Sequence, residues 1–340
     1  MDVFSKKKSV FYNYVVRFGG KLIFVNTGIR KAKRNRIGEP TTSRIEQMTL
    51  SLSRRLVVCA LLAGGSFSVF SPMAQAFELA EQGKLTVAFT GDMPGSGWQD
   101  GKLIGYDGEI MQKIADRLGL KIQPALMEWS GTIASVEAGR VDVMLGTMGW
   151  TEKRTKIMTL SEPIHYFKNG IMQSSKTSWD KLSDLEGKKV GTITGFSFVP
   201  ELKKIKGLEL SLYDTSDAAV RDLIAGRIDA VIGDPPVVSY AIKQNPEWNM
   251  HFLAFTDSNA DFPLLTGLGQ VVYGLNKKND DLRQKMDAII AQMWKSCEMK
   301  EIGQRYGLSA DVWYTPAGEN FRAGVDRPAD YKLPSCATGD

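Results

Sequence analysis

Histidine and cysteine are scarce in this chain: its 340 residues include two histidines and three cysteines. Neither His165 nor His251 stands in a metal-ligand motif. Residues 195–199 (GFSFV) lack the final glycine of a nucleophile elbow, and the glycines of residues 95–101 (GSGWQDG) are spaced wrongly for dinucleotide binding. We therefore expect a protein that is not an enzyme and that holds neither a metal ion nor a cofactor.

Basic residues are concentrated at the amino terminus, where residues 1–47 contain eleven lysines and arginines. Residues 48–76 have the order of a secretory signal peptide: a pair of arginines, an apolar run and a small-x-small site that ends at Ala76. Glycines and serines interrupt the apolar run, which disfavours a permanent membrane anchor. We expect cleavage after Ala76 and interpret residues 1–47 as a mis-assigned upstream segment.

Cleavage would change the formal net charge from +5 to −5, because residues 1–76 hold thirteen basic and three acidic side chains. The basic character of the full chain therefore says nothing about the exported protein. A mildly acidic exported protein gives no support to nucleic-acid binding.

Two cysteines, Cys297 and Cys336, remain after cleavage. An even pair in an oxidising compartment predicts one disulfide, which would join the carboxyl-terminal tail to the last long helix. The alternative is two free thiols.

Residues 138–146 (AGRVDVMLG) and 225–233 (AGRIDAVIG) carry the same pattern 87 positions apart. In each, a helical pattern ends at a glycine suited to a left-handed cap, and a short apolar strand follows and ends at a second glycine. Ligands of open α/β sheets bind beyond the carboxyl ends of strands, so residues 146–147 and 233–234 each mark one wall of a predicted cleft. The repeat indicates two related lobes that face one site. The alternative is that such units recur in any α/β protein.

Strand and helix patterns alternate through the rest of the chain, which predicts an α/β fold with two lobes, each a mixed sheet flanked by helices. We assign residues 77–172 and 267–307 to the first lobe and 173–266 to the second. The chain then crosses between the lobes twice, and paired crossovers form a natural hinge. We predict one long amphipathic helix over 280–306 and interpret 308–340 as a surface tail.

Two charged residues near the repeats suit the two ends of a small zwitterion. Arg154 offers a guanidinium fork for a carboxylate, with a solvated position in the basic run 153–156 as the alternative. Asp234 could pair with an ammonium group, although an aspartate before two prolines is also a helix N-cap. Residues 195–197 precede a helix whose N–H groups favour an anion. Tryptophans at strand ends could pack against a ligand: Trp98, Trp129 and Trp150.

Residues 105–109 (GYDGE) resemble an element of the periplasmic solute-binding proteins of the polar amino acid class. Further matches follow in that family's order and spacing over residues 84–307: WSGTI at 129–133, AGRVD at 138–142, TEKR at 151–154, LSDLEG at 182–187, VG at 190–191, and Asp234. The resemblance implies a two-lobed clamp of the type 2 periplasmic-binding fold. Such a clamp closes on a solute and delivers it to an inner-membrane ABC permease.

The same resemblance implies a role for each residue around the cleft. Arg154 matches the arginine that holds the α-carboxylate of a ligand, and Asp234 matches the acid that holds its α-ammonium group. Trp129 matches an aromatic residue that stacks on the ligand. The remaining lining residues would be Gly146 and Thr147 on the first wall and Phe196 and Ser197 on the second.

Two departures from the family pattern bear on the ligand. Gly149 stands where amino-acid binders often carry a threonine or serine that helps to hold the ammonium group. Pro94 and Gly95 stand where an aromatic residue is usual. We therefore expect a solute recognised mainly through its carboxylate, an amino acid or a derivative.

The expected function is binding of a small carboxylated solute by a periplasmic monomer. Two alternatives stay open. One is a periplasmic enzyme of the same fold, such as a dehydratase acting on a carboxylated ring, for which Glu128 is the candidate acid or base. The other is an accessory module of a periplasmic oxidoreductase system.

Overall fold

The computed structural model describes residues 14–18, 21–25, 77–316 and 320–336 of the chain. The predicted signal peptide, residues 48–76, lies outside the described residues, as does most of the predicted upstream segment.

The chain divides into two units, Met1–Val69 and Phe70–Asp340. In the first unit the described residues form two antiparallel strands, β1 (Tyr14–Phe18) and β2 (Lys21–Val25). All other elements belong to the second unit.

The second unit alternates strands and helices, as the sequence predicts. Its strands are β3 (Lys84–Phe89), β4 (Gly97–Gln99), β5 (Lys102–Ile104), β6 (Lys121–Leu126), β7 (Val143–Met144), β8 (Thr159–Leu160), β9 (His165–Lys168), β10 (Gly170–Ser174), β11 (Lys189–Ile193), β12 (Glu209–Tyr213), β13 (Ala230–Val231), β14 (Met250–Ala254), β15 (Leu268–Val271) and β16 (Gly274–Leu275). Its helices are α1 (Tyr106–Leu118), α2 (Trp129–Glu137), α3 (Glu152–Thr155), α4 (Val199–Leu202), α5 (Ser216–Ile224), α6 (Pro235–Gln244), α7 (Pro263–Thr266), α8 (Asp280–Lys295) and α9 (Glu298–Arg305). Within the described part of the chain, none of the helices is both long and apolar enough to cross a membrane.

Two five-stranded mixed sheets form the two lobes. The first has the strand order β6-β3-β7-β16-β8 and the second has the order β12-β11-β13-β10-β14. In both sheets the first three strands run parallel, and the fourth is antiparallel to the third. This common order is what the repeated sequence pattern predicts.

The two repeats also end their helices in the same way. Gly139 follows α2 with φ 69°, and Gly226 follows α5 with φ 68°, a left-handed conformation that glycine adopts without steric cost. In each lobe the residue after this glycine donates its N–H back to the last turn over 2.9 Å, as in a Schellman cap. The short strands β7 and β13 come next, so both repeats close an αβ unit as predicted.

Strands β9 and β15 pair antiparallel between the two sheets and carry the chain across in both directions. The predicted lobe boundary at residue 172 falls inside β10, which pairs with β13 and β14 in the second sheet. The structure therefore moves the boundary back to Asn169. Asn169 and Gly170 form a turn-type dipeptide that marks this point in the sequence, but the flanking residues were interpreted as one extended segment.

The single helix predicted over 280–306 is instead two helices, α8 and α9. Cys297 lies between them in a left-handed conformation with φ 60°. The break lets both helices bury apolar side chains in the core of the first lobe, among them Trp294 from α8 and Met299 and Ile302 from α9. Apolar spacing continues across the break, so the sequence pattern does not reveal it.

Residues 308–316 and 320–336, the described part of the predicted surface tail, lie largely at the surface but are fixed to the first lobe. Arg322 has no exposed surface, and Cys336 forms a disulfide with Cys297 across a Cα–Cα distance of 4.8 Å. The predicted cysteine pair is thus present in the structure. Arginine–carboxylate contacts hold much of this segment, and the segment lacks the periodic apolar pattern that would have signalled burial.

Candidate functional site

A cavity of about 500 Å3 lies where loops from both lobes meet. The first lobe contributes residues that follow β7, and the second contributes residues that follow β11 and β13, so the cavity lies beyond the carboxyl ends of strands. Seven of the nine predicted ligand-binding residues line it: Trp129, Thr147, Gly149, Arg154, Phe196, Ser197 and Asp234.

The other two predicted residues lie elsewhere. Gly146 lines a smaller cavity of about 70 Å3, which shares Trp129 and Asp234 with the larger one and also contains Glu128. Trp98 does not line either cavity: it is 39% exposed on β4, which pairs only with β5 in a separate hairpin. Trp98 is therefore not brought together with the other predicted ligand-binding residues.

Arg154 reaches the cavity from a short capped helix. The Thr151 side chain accepts a hydrogen bond from the Arg154 N–H over 3.2 Å and so caps α3. Arg154 is 8% exposed, whereas Lys153 and Lys156 beside it are exposed. The solvated alternative for Arg154 is therefore wrong.

The Arg154 guanidinium is charged and only partly satisfied by the protein. Its Nη1 donates to Gly149 O over 2.5 Å, and among the described residues its other nitrogens have no hydrogen-bond partner. Burial lowers the pKa of Arg154 to about 10, with Asp234 acting in the opposite direction. The group thus keeps its proton at neutral pH and presents free donors to the cavity.

Asp234 occupies the N-cap position of α6 but does not act as a side-chain cap. Its carboxylate accepts no hydrogen bond from the helix, and it has no hydrogen bond or ion pair with any other described residue. Burial raises the pKa of Asp234 well above its ordinary value; Asp92 and Asp107 add to this shift, and Arg154 opposes it. A carboxylate in this position would gain a favourable charge interaction from a ligand cation.

Trp129 bridges the two lobes at the cavity. Its Nε1 donates to Gly195 O over 3.4 Å, and its ring lies edge-on to Phe196 with centroids 6.0 Å apart. The Arg154 guanidinium carbon is 5.6 Å from the centroid of the Trp129 ring. The indole therefore contacts the second lobe while forming a cation–π pair within the first.

The GYDGE element supports the first wall from beneath. Asp107 accepts a hydrogen bond from the Thr147 N–H over 2.6 Å, and Thr147 has the positive φ of 54°. The Asp107 carbonyl accepts from the Tyr273 hydroxyl over 2.7 Å. Burial raises the pKa of Asp107 to about 7, while the N–H groups of Gly146 and Thr147 counteract that rise. This motif thus positions the wall and does not itself line the larger cavity.

Gly149 lies against an aromatic ring. A Cβ atom at this position would lie 3.3 Å from Cζ of Phe167, whose ring also occupies the space beside Gly269. Phe167 lines the cavity, as do Phe198 and Trp150. An aromatic ring therefore lies beside the position where relatives were expected to carry a hydroxyl, and a side chain there would require a small shift of the ring.

Gln270 is the most informative residue that the sequence did not reveal. It lies on β15, is buried, and lines the cavity, and its Oε1 atom has no hydrogen-bond partner among the described residues. Gly149 bridges to Val271, and the Trp150 N–H donates to Gln270 O over 2.7 Å, so Gln270 is adjacent to the position of the missing hydroxyl. Only the pairing register across the crossover could have shown this.

No group of three or more histidine, cysteine, aspartate or glutamate side chains among the described residues could hold a metal ion.

The profile of the family described as bacterial extracellular solute-binding proteins, family 3, matches residues 85–309, more than half of the chain. The L-cystine-binding protein TcyJ of Escherichia coli (strain K12) is 28% identical over 264 residues, which cover 76% of this chain and 94% of that protein. The histidine-binding periplasmic protein of the same strain is 23% identical over 210 residues, or 61% of this chain and 80% of that protein.

Solved structures show the same fold. An ancestral arginine-binding protein bound to arginine superposes with a TM-score of 0.58 at 28% identity, covering 66% of this chain and 99% of that one. The arginine-, lysine-, histidine-binding protein ArtJ of Geobacillus stearothermophilus superposes with a TM-score of 0.59 at 21% identity, covering 66% and 95%. The predicted two-lobed binding-protein fold is confirmed, and so is the expectation of a binding protein and not an enzyme.

Proposed function

This chain belongs to the bacterial extracellular solute-binding proteins, family 3, and we propose that its solute is a small carboxylated molecule, an amino acid or a derivative. The family places the chain among solute-binding proteins that work outside the cytoplasm. We base the choice of solute on one observation: the buried Arg154 and the unpaired Asp234 line the same cavity.

The carboxylate end of the solute is assigned to Arg154. This side chain is buried, charged and supplied with donors that no described residue uses. A carboxylate can accept two parallel hydrogen bonds from such a fork. Trp129, whose ring stacks near the guanidinium, would exclude water from this contact.

The ammonium end is assigned to Asp234 and Gln270. Asp234 provides a carboxyl group that accepts no hydrogen bond from any described residue, and a ligand cation would favour its ionised form. Gln270 provides a buried acceptor beside Gly149, where a hydroxyl is missing. A carboxylate and an amide oxygen together can accept two of the three ammonium donors.

Delivery of the solute to an inner-membrane ABC permease is part of the proposal. The names of several relatives associate them with amino acids and with ABC transporters. We further propose that the chain acts as a periplasmic monomer, released by cleavage of the signal peptide after Ala76.

Native mass spectrometry of protein purified without refolding, followed by calorimetry with L-amino acids, tests the proposal. We expect a stoichiometric small carboxylated compound and no turnover of it. A bound compound that lacks a carboxylate would contradict the assignment of Arg154. Conversion of the compound into product would contradict a transport role.

A further inference from the structure

The C-terminal segment, residues 320–336, lies beyond the end of the family match at residue 309 but is fixed to the first lobe. Arg322 is fully buried and donates to Ser161 O over 2.9 Å. Arg327 donates from Nε to Glu162 Oε1 over 2.8 Å and forms an ion pair with Asp287. A buried arginine with several acceptors has little freedom to move, so these contacts define one position for the backbone around them.

The far end of the segment is held as well. The Tyr331 hydroxyl donates to Glu162, and the Tyr166 hydroxyl donates to Pro334 O over 2.5 Å. Cys336 then closes the disulfide with Cys297. All of these partners belong to the first lobe, so the segment is an integral part of that lobe.

The segment also positions one aromatic wall of the cavity. Asp326 accepts a hydrogen bond from Trp150 Nε1 over 3.2 Å and pairs with Arg322 over 2.7 Å. The Arg322 guanidinium carbon lies 6.0 Å from the centroid of the Trp150 ring. Trp150, which lines the cavity, is therefore oriented by residues outside the family match.

Phe321 brings the segment into the cavity directly. It lines the cavity with Trp150, Phe167 and Phe198, yet 45% of its surface is exposed. Because the neighbouring Arg322 is buried and hydrogen-bonded, the backbone at Phe321 is fixed even though its side chain is exposed. An aromatic side chain held at the edge of a cavity provides apolar contact area for whatever enters.

We propose that the C-terminal segment is a specificity element, in which Phe321 and the segment-oriented Trp150 contact an apolar group of the solute. This inference rests on the proposed function, since it assumes that Arg154 holds the solute's carboxylate. The solute class is then an amino acid or derivative with an apolar or aromatic side chain. Small-molecule sites use a few polar groups for orientation and apolar walls for contact area, which is the division seen between Arg154 and Phe321.

The test compares Phe321→Ala with Val325→Ala, a matched control. Val325 is a similarly exposed apolar residue of the same segment, and it does not line the cavity. Calorimetry is performed on both variants and the unchanged protein with L-phenylalanine, L-leucine, L-alanine and L-arginine. Phe321→Leu serves as the conservative variant, and thermal unfolding of each protein checks the fold.

The unchanged protein should bind L-phenylalanine or L-leucine more tightly than L-alanine. Phe321→Ala should weaken the binding of the larger apolar amino acid by roughly tenfold or more and leave L-alanine within about twofold, while Val325→Ala changes neither and Phe321→Leu recovers part of the loss. Equal weakening for all amino acids, or none, would overturn the assignment of Phe321.

Preference of the unchanged protein for L-arginine would overturn the apolar class but leave the proposed function intact. If no amino acid or other carboxylated compound binds, and Arg154→Ala has no effect on whatever solute is found, the proposed function fails first and this inference fails with it.

Discussion

The two repeats place opposite charges in the cavity from nearly identical backbones. In the first lobe the chain passes Gly146 and forms a capped turn before Arg154 reaches the site. In the second lobe Asp234 follows Gly233 at once, and Pro235 begins the next helix. The glycine cap and short strand thus determine where each wall lies, and the few residues after the strand determine its charge.

The aspartates within the repeats differ as well. Asp142 is buried and accepts hydrogen bonds from the N–H groups of Ala80 and Thr86, both over 2.8 Å, and from Asn279 over 3.2 Å. Asp229, at the matching position, is exposed and accepts one from the Lys189 N–H over 2.8 Å. The aspartate of the repeat therefore joins buried backbone segments in the first lobe, whereas in the second lobe it makes a single contact at the surface.

Removing the positively charged side chain of Arg154 should have the largest effect on binding. Arg154→Ala deletes a buried charged donor, a loss of about 2–5 kcal/mol, which corresponds to roughly thirtyfold to more than a thousandfold in affinity. Arg154→Lys keeps the charge without the fork and should fall between. Calorimetry measures both, and an unchanged melting temperature shows that the fold survives. Unchanged affinity in Arg154→Ala would remove this residue from the site.

Replacing the Asp234 carboxylate with a neutral amide should have a smaller effect on binding, and one that depends on the ligand. Asp234→Asn should cost about 2–3 kcal/mol for a bound amino acid, whereas the same compound without its amino group should bind both proteins alike. Equal losses for the two compounds would show that Asp234 does not face the ammonium group.

The pH dependence of binding follows from the same aspartate. The raised pKa of Asp234 means that it takes up a proton as the solution becomes more acidic, and a protonated carboxyl cannot pair with an ammonium group. Affinity for an amino acid should therefore fall as the pH is lowered from neutral. Asp234→Asn should flatten that profile, and any slope that persists would point to Asp92 and Asp107, two other acids whose pKa values burial raises.

Local patterns in the sequence were sufficient to predict the two lobes and to place Arg154 and Asp234 beside the cavity. The glycine caps, the apolar strands and the positions of Arg154 and Asp234 each depend on a few consecutive residues. Gln270 and Phe321 depend instead on contacts between distant segments: a strand register for Gln270, and buried arginine pairs for Phe321. The helix break at Cys297 could not be predicted either, because the apolar spacing is the same before and after it.

A stability comparison sharpens the contrast between the two repeat aspartates. Asp142→Asn should destabilise the protein by about 1–3 kcal/mol, because an amide nitrogen would face a buried N–H donor. Asp229→Asn should change the free energy of unfolding by no more than about 0.5 kcal/mol, since water can replace the lost contact. Urea unfolding gives both values. Equal destabilisation would mean that the two positions are structurally equivalent after all.

The smallest expected effect on binding tests whether the two repeats alone suffice for recognition. Gln270 belongs to neither repeat but to the crossover strand β15, and it supplies the buried oxygen beside Gly149. Gln270→Leu should cost about 1.5 kcal/mol for an amino acid, the lower end for a hydrogen bond to a charged group, which is roughly tenfold in affinity. Gln270→Glu retains an acceptor oxygen and should bind at least as well as Gln270→Leu. The deaminated analogue should bind the leucine variant and the unchanged protein alike. A tenfold loss for both compounds would mean that Gln270 shapes the cavity without contacting the ammonium group. No loss for either compound would mean that Asp234 binds the ammonium group without a contribution from Gln270.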